Sequence, residues 1–148
     1  MVYIFDASFS AALILPDEKT EELIKAGASV GEKDELFVPH LWWYEMANIF
    51  RNNILRKRYS YAEAEELLRN ISLFKIITDF SSGGAYSEKL LRIAHDYSLS
   101  AYDAAYLELA LRKQAILGTL DDNLQNAAEK SGVKLLFSRR EKVRRKRD

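Results

Sequence analysis

Short runs of consecutive apolar residues alternate along this chain with longer stretches whose apolar positions recur every third or fourth residue. The short runs are VYIF (2–5), LFVP (36–39), FKII (74–77), AILGTL (115–120) and VKLLF (133–137). They read as strands. The longer stretches lie near 8–15, 18–29, 40–57, 61–71, 85–97, 101–113 and 122–131, and their spacing predicts helices. Strands separated by helices imply βαβ units, so the expected fold is α/β. It is a three-layer α/β/α sandwich around a mostly parallel sheet of four to five strands.

Punctuation supports the boundaries. Pro39 closes the second run, and Ser60 followed by Glu63 is a capping box opening the helix at Tyr61. Gly83-Gly84 marks a turn. No internal repeat interrupts the pattern.

Length and composition narrow the class. The 148 residues suit one domain, and 48% hydrophobic with 30% charged residues is ordinary for a globular chain. There are no cysteines, which removes thiolate metal sites, cysteine nucleophiles and disulfides. No apolar run approaches the roughly 18–20 residues of a membrane span. MVYIFD reads as a first strand rather than a secretory leader, so the expected address is the cytoplasm and no membrane partner is expected.

Net charge is zero but unevenly placed. Residues 138–148 hold seven Lys/Arg against two acids, which leaves 15 basic and 20 acidic residues for positions 1–137. Residues 1–137 are therefore expected to form the folded domain, and 138–148 a disordered basic tail. Such a tail suits either attraction to nucleic acid or a solvated end. The acidic body cannot bind a polyanion by bulk charge. Something must first offset its carboxylates.

In an open parallel sheet, functional groups collect at the carboxyl ends of the strands. Asp6 follows the first run directly, Asp121 and Asp122 follow the fourth, and Glu45 lies one or two turns into the helix after the second. Asp103 lies in the first turn of the helix leading into the fourth. Each has a plain alternative reading. Asp6 or Ser8 suits an N-cap, as does Asp121 or Asp122, and Ser100-x-x-Asp103 suits a variant capping box. Glu45 resists that treatment, because it stands three residues from Trp42 and four from Ile49, on or beside a buried stripe. A carboxylate there needs a partner or a metal.

Parallel topology would bring all four acids to one sheet edge, where unneutralised carboxylates repel. A hard divalent cation removes that repulsion, and an all-oxygen donor set suits Mg²⁺ or Mn²⁺ rather than zinc. His40 and His95, the only histidines, are expected at the surface or in packing. Acids with such an ion suit phosphoryl chemistry and make an acidic pocket tolerant of a polyanion.

Four segments now carry a resemblance: IFDASFSAALILPDE, VPHLWWYEMANIF, LSAYDAAYLELA and ILGTLDDNLQNAAEKSGVKLL. In that order and near that spacing, over about residues 2–137, the chain resembles the PIN-domain ribonucleases, and among them the VapC-type toxins of toxin–antitoxin pairs. The resemblance implies a Mg²⁺- or Mn²⁺-dependent endoribonuclease that cleaves RNA by metal-activated water. It implies Asp6, Glu45, Asp103 and Asp121 as the acidic quartet, Asp6 and Asp103 being the most direct metal ligands. Ser8, Asn48 and Thr119 match polar pocket positions. Ser8 or Thr119 is expected to hydrogen-bond Asp6, and Asn48 to hold Glu45. Asp122 stands as either a fifth pocket acid or an N-cap.

The same resemblance implies a homodimer and a cognate VapB-like antitoxin. Trp42, Trp43, Tyr44, Tyr59, Tyr61 and Phe80 are available for such contacts or for the core. Trp42 and Trp43 cannot share a helix face, so at least one is expected to reach a surface. Arg51, Arg56, Lys57 and Arg58 suit either a phosphate-contacting rim or a solvated helix end.

Rival α/β phosphoryl enzymes fit poorly. A receiver domain would want paired acids after the first strand, and a haloacid-dehalogenase-like phosphatase would want Asp-x-Asp. FDASFS has neither. A catalytically silent PIN-like scaffold that binds RNA or a protein partner is the non-enzymatic alternative.

Overall fold

In the computed structural model, which describes residues 1–137, the chain runs β1 (Val2–Phe5), α1 (Ala7–Ile14), α2 (Glu21–Ala28), β2 (Glu35–Pro39), α3 (Leu41–Leu55), α4 (Tyr61–Ile71), β3 (Ile76–Asp79), α5 (Gly84–Tyr97), α6 (Ala101–Lys113), β4 (Ile116–Gly118), α7 (Asp122–Ser131) and β5 (Lys134–Leu135). The tail expected over 138–148 lies outside the described residues. Among the described residues, no helix is long and apolar enough to cross a membrane.

The five strands form one sheet in the order β3-β2-β1-β4-β5, every pairing parallel. The architecture is the expected three-layer sandwich. Alternation along β1 separates two cores: Ile4 joins one cluster with Trp42, Met46, Tyr106, Leu107 and Leu117, while Tyr3 and Phe5 join another with Phe9, Ala12 and Leu23. Strand order grows outward from β1 to β3, then reverses to the other side of β1. The switch therefore falls between β1 and β4, where parallel sheets of this kind open a crevice at the strands' carboxyl ends.

Local chemistry explains the helix starts. Asp6, Thr20, Ser60, Ser100 and Asp121 each accept a backbone N–H three residues on, and Ser60 with Glu63 forms the full reciprocal box. At the far end of α7, Gly132 takes a left-handed φ of 80°, which only glycine adopts freely.

Gly118 has a different reason. A Cβ there would lie 2.8 Å from a Phe5 ring carbon and 3.0 Å from one of Phe9, so β4 must be bare for α1 to settle.

Several boundaries move from expectation. β3 begins at Ile76 rather than at residue 74, because residues 72–74 are spent on the turn after α4 and Phe74 is exposed. An aromatic side chain had made a turn look like a strand. α2 starts at Glu21 rather than near 18, since Asp17 and Glu18 are engaged by Arg58 across the α3–α4 turn. β4 and β5 are shorter than their apolar runs, and Val133 packs into the core without pairing as strand.

Candidate active site

Asp6 is the first residue after β1, and its backbone N–H continues the sheet by donating to Gly118 O at 3.0 Å. Its carboxylate is 6% exposed and held from both sides. Oδ1 accepts from Phe9 N at 2.7 Å and Ser8 Oγ at 2.8 Å, while Oδ2 accepts from Thr119 Oγ1. The cap and the pocket acid are thus one residue. Thr119, fully buried past the end of β4, also accepts from Asp121 N at 3.1 Å. It ties the β1 and β4 ends together across the switch point.

Glu45 is half-buried on the second turn of α3, and its Oε2 accepts from the Tyr106 hydroxyl of α6. Tyr106, 1% exposed, stands three residues beyond Asp103 and so shares its helix face. Asp103 takes a hydrogen bond from Ser100 Oγ on Oδ2 at 2.7 Å, while its own N–H donates to that Oγ at 3.0 Å. Ser100 caps α6 and orients the acid at once.

The electrostatics connect these groups. Burial pushes the Asp6 carboxyl above its ordinary range against the pull of its three hydrogen bonds, and the Asp103 charge pushes it further. Burial likewise raises Glu45 against its bond from Tyr106, with both Asp6 and Asp103 adding repulsion. Burial first, then the Glu45 charge, drives the Tyr106 hydroxyl far upward, so it remains a donor. Three carboxylates therefore oppose one another within one pocket. Each receives a hydroxyl hydrogen bond, and among the described residues none of the quartet has an ion-pair partner. Hydroxyls can solvate a carboxylate but cannot cancel its charge.

The donor chemistry fits a hard divalent ion, being all oxygen and net negative. Among the described residues, however, no group of three or more His, Asp or Glu is drawn tightly enough to hold an ion as it stands. The carboxylates repel one another and do not form a finished cage.

The remaining site expectations separate clearly. Asp121 is exposed and caps α7 by accepting from Leu124 N at 2.8 Å, joining Asp6 through Thr119 rather than by direct coupling. Asp122 is not the cap but the first residue of α7, exposed. Asn48 is exposed as well; Glu45 is held by Tyr106 instead, a longer side chain arriving from the facing helix. Arg51, Arg56 and Lys57 are exposed at the end of α3. Arg58 is committed elsewhere, pairing with Asp17 and with Glu18 at 3.2 Å. Trp42 is buried with its indole N–H on Ser10 Oγ at 3.1 Å, whereas Trp43 is half-buried and donates to Thr78 at 2.9 Å.

Sequence reasoning passed over Tyr106. Its signal was present, an apolar-face tyrosine three residues after the acid of YDAAY, but the same spacing describes an ordinary core aromatic.

With this geometry in place, comparison with known proteins is informative. The PIN domain family profile matches residues 3–130. The chain is 33% identical over 128 residues to Ribonuclease VapC3 of Pyrobaculum aerophilum, covering 84% of this chain and 92% of that protein. The solved structure of PAE2754 from the same organism superposes with a TM-score of 0.63 at 27% identity, over 86% of this chain and 79% of that one. VapBC-1 from nontypeable Haemophilus influenzae gives 0.62 over 91% and 96% of the two chains, and at 12% identity shows the fold alone. Sequence, topology and the match across residues 3–130 agree: the chain belongs to the PIN-domain family.

Proposed function

We propose that this protein is a divalent-metal-dependent endoribonuclease acting as the toxin of a toxin–antitoxin pair. The observation that carries the reading is the set of three mutually repelling carboxylates, Asp6, Glu45 and Asp103, which have no ion-pair partner among the described residues. Similarity to Ribonuclease VapC3 supports RNA as the substrate class.

Asp6 and Asp103 would hold Mg²⁺ or Mn²⁺, with Asp121 and Glu45 nearby. The ion would supply charge neutralisation at the scissile phosphate and a water of lowered pKa. The chain's own residues do the rest. Ser8, Thr119 and the Phe9 N–H fix the Asp6 carboxylate and leave its remaining acceptor site on Oδ2. Ser100 does the same for Asp103. Tyr106 holds Glu45, whose raised proton affinity suits it to accept a proton from an attacking water.

A VapB-like antitoxin as partner is supported by VapBC complexes among the structural relatives. An apolar groove of about 510 Å³, lined by Leu13, Ile24, Val30, Phe74 and Ile76 among others, gives a peptide segment room to bind. Exposed Leu73, Leu91 and Tyr61 are available to a homodimer contact.

The test is incubation of the purified chain with structured RNAs, with and without Mn²⁺, beside Asp6→Ala. Manganese-dependent cutting lost in the variant is expected. Equal cutting by both proteins would remove Asp6 from the reaction, and no metal-dependent cutting or thermal stabilisation would leave the silent scaffold reading.

A further inference from the structure

Three aromatic rings meet at the carboxyl ends of β2 and β3. His40 follows β2 directly and Phe80 follows β3 directly, joined by the His40 N–H donating to Asp79 O at 3.0 Å. The His40 ring lies 5.1 Å from that of Phe80, tilted by 46°, and 5.4 Å from that of Tyr44, edge-on at 80°. All three are exposed, Tyr44 at 68% and Phe80 at 69%. Large rings stabilise little when left in water, and a contiguous exposed group of them marks a contact surface.

The position of this shelf ties it to the candidate active site. β2 neighbours β1; Pro39 pairs with Asp79, and the β1 register carried two residues past its last pair, Ile4 with Phe37, brings Asp6 level with Pro39. Two interstrand spacings, about 10 Å, separate the end of β3 from the end of β1. Tyr44 is also the chain neighbour of Glu45. Successive helical residues point about 100° apart, so its ring flanks the carboxylate pocket instead of filling it.

We propose that the His40–Tyr44–Phe80 shelf stacks unpaired bases of the RNA strand beside the scissile phosphate. This rests on the nuclease reading above and names how its substrate is held. Charge favours the choice. Residues 1–137 carry a net −5, the offsetting Lys/Arg being those of 138–148, so within the described residues bulk charge does not attract phosphate and a charge-neutral contact adds affinity there. Base stacking on aromatic rings is such a contact, independent of sequence because every base has a π-face. A peptide partner would sooner seek the concave apolar groove lined by Leu13, Ile24 and Phe74 than three exposed rings inclined to one another.

The test uses the full chain carrying Asp103→Asn, so that RNA survives, and an unpaired mixed-sequence oligoribonucleotide of about ten residues. Binding is read by fluorescence anisotropy, alongside the same backbone made abasic. Phe80→Ala and Tyr44→Ala should each weaken binding of intact RNA about five- to a hundredfold. Phe80→Trp should restore it, and the abasic strand should not distinguish the variants. Folding is checked by circular dichroism, and Phe80→Trp against Phe80→Ser serves if the alanine variant unfolds. Unchanged affinity, or equal weakening toward the abasic strand, overturns the proposal. So does intact RNA binding with loss only of a co-expressed antitoxin-like partner. If wild type fails to cleave while the stacking losses persist, the nuclease reading fails and the shelf stands.

Discussion

Helix α6 carries two kinds of acid, and they are treated oppositely. Glu108, at its centre, is 2% exposed and fully compensated. It pairs with Arg112 at 2.9 Å and Lys89 at 3.1 Å, and Arg112 reaches on to Asp79 at 2.7 Å. Two carboxylates there meet two cations. Asp103, in the first turn, faces Asp6 and Glu45, and among the described residues those three meet hydroxyls and one backbone N–H but no cation. The shifts follow suit. Burial alone would raise the Asp79 carboxyl, but the Arg112 guanidinium brings it below its usual range, whereas Asp6 and Glu45 lie above theirs. Among the described residues one acidic cluster is compensated and the next is not, a contrast that supports the proposed metal site.

The comparison can be broken most forcefully at Asp103. Asp103→Asn keeps the Ser100 cap and should leave the fold intact. It should cut metal-dependent RNA cleavage by roughly a hundredfold or more, since a bound metal contributes several kcal/mol and each ~1.4 kcal/mol is tenfold. A folded variant with undiminished cleavage would remove Asp103 from the mechanism.

On the compensated side, Arg112→Leu strands Glu108 and should destabilise by about 3 kcal/mol, the low end for an orphaned buried charge because Lys89 remains. Urea unfolding reads this. Adding Glu108→Leu should recover most of the loss, and failure to recover would mean that Arg112 acts through packing.

Metal should stabilise the bare cluster only. Mn²⁺ at about 100 times its dissociation constant should raise wild-type stability by about 2.7 kcal/mol and leave Asp6→Ala unmoved. The same thermal shift in both proteins would place the ion elsewhere.

The smallest expected effect has the least intuitive sign. Glu45 has a raised folded pKa, so the native state binds the extra proton between the unfolded value, about 4.3, and the raised one. Stability from this group is therefore present at low pH and lost as pH rises through that window. Glu45→Gln keeps an acceptor for Tyr106 and should raise the neutral-pH Tm by roughly 2 °C. Near pH 4 the gain should fade. Asp79→Asn should lower Tm at neutral pH, because its folded pKa is lowered. Matching signs in the two variants would undo the contrast.

Much of this arrangement was legible in the chain. Short apolar runs and period-3.6 patterning marked every described element, and β1 and the capped start of α4 fell where expected. The acids stood out because Asp6, Asp103 and Asp121 occupy strand or helix ends, where local rules already single them out. Those rules also misled. Phe74 resembled strand, and nothing local to Arg58 pointed to its pairing with Asp17 and Glu18, some 40 positions away in sequence but adjacent in space.

The sequence by itself determined which segments become strands and helices, and which carboxylates stand at their ends. Those outcomes depend on spacing and on contacts within about four residues. Only the tertiary structure decided that Thr119 would grip Asp6 from 113 residues away, that Tyr106 would hold Glu45, and that His40, Tyr44 and Phe80 would share an edge. Strand order and helix packing set those meetings, and no local pattern encodes which strand lies beside which. For the same reason, the difference between a compensated acid and a bare one becomes visible only once the chain has folded.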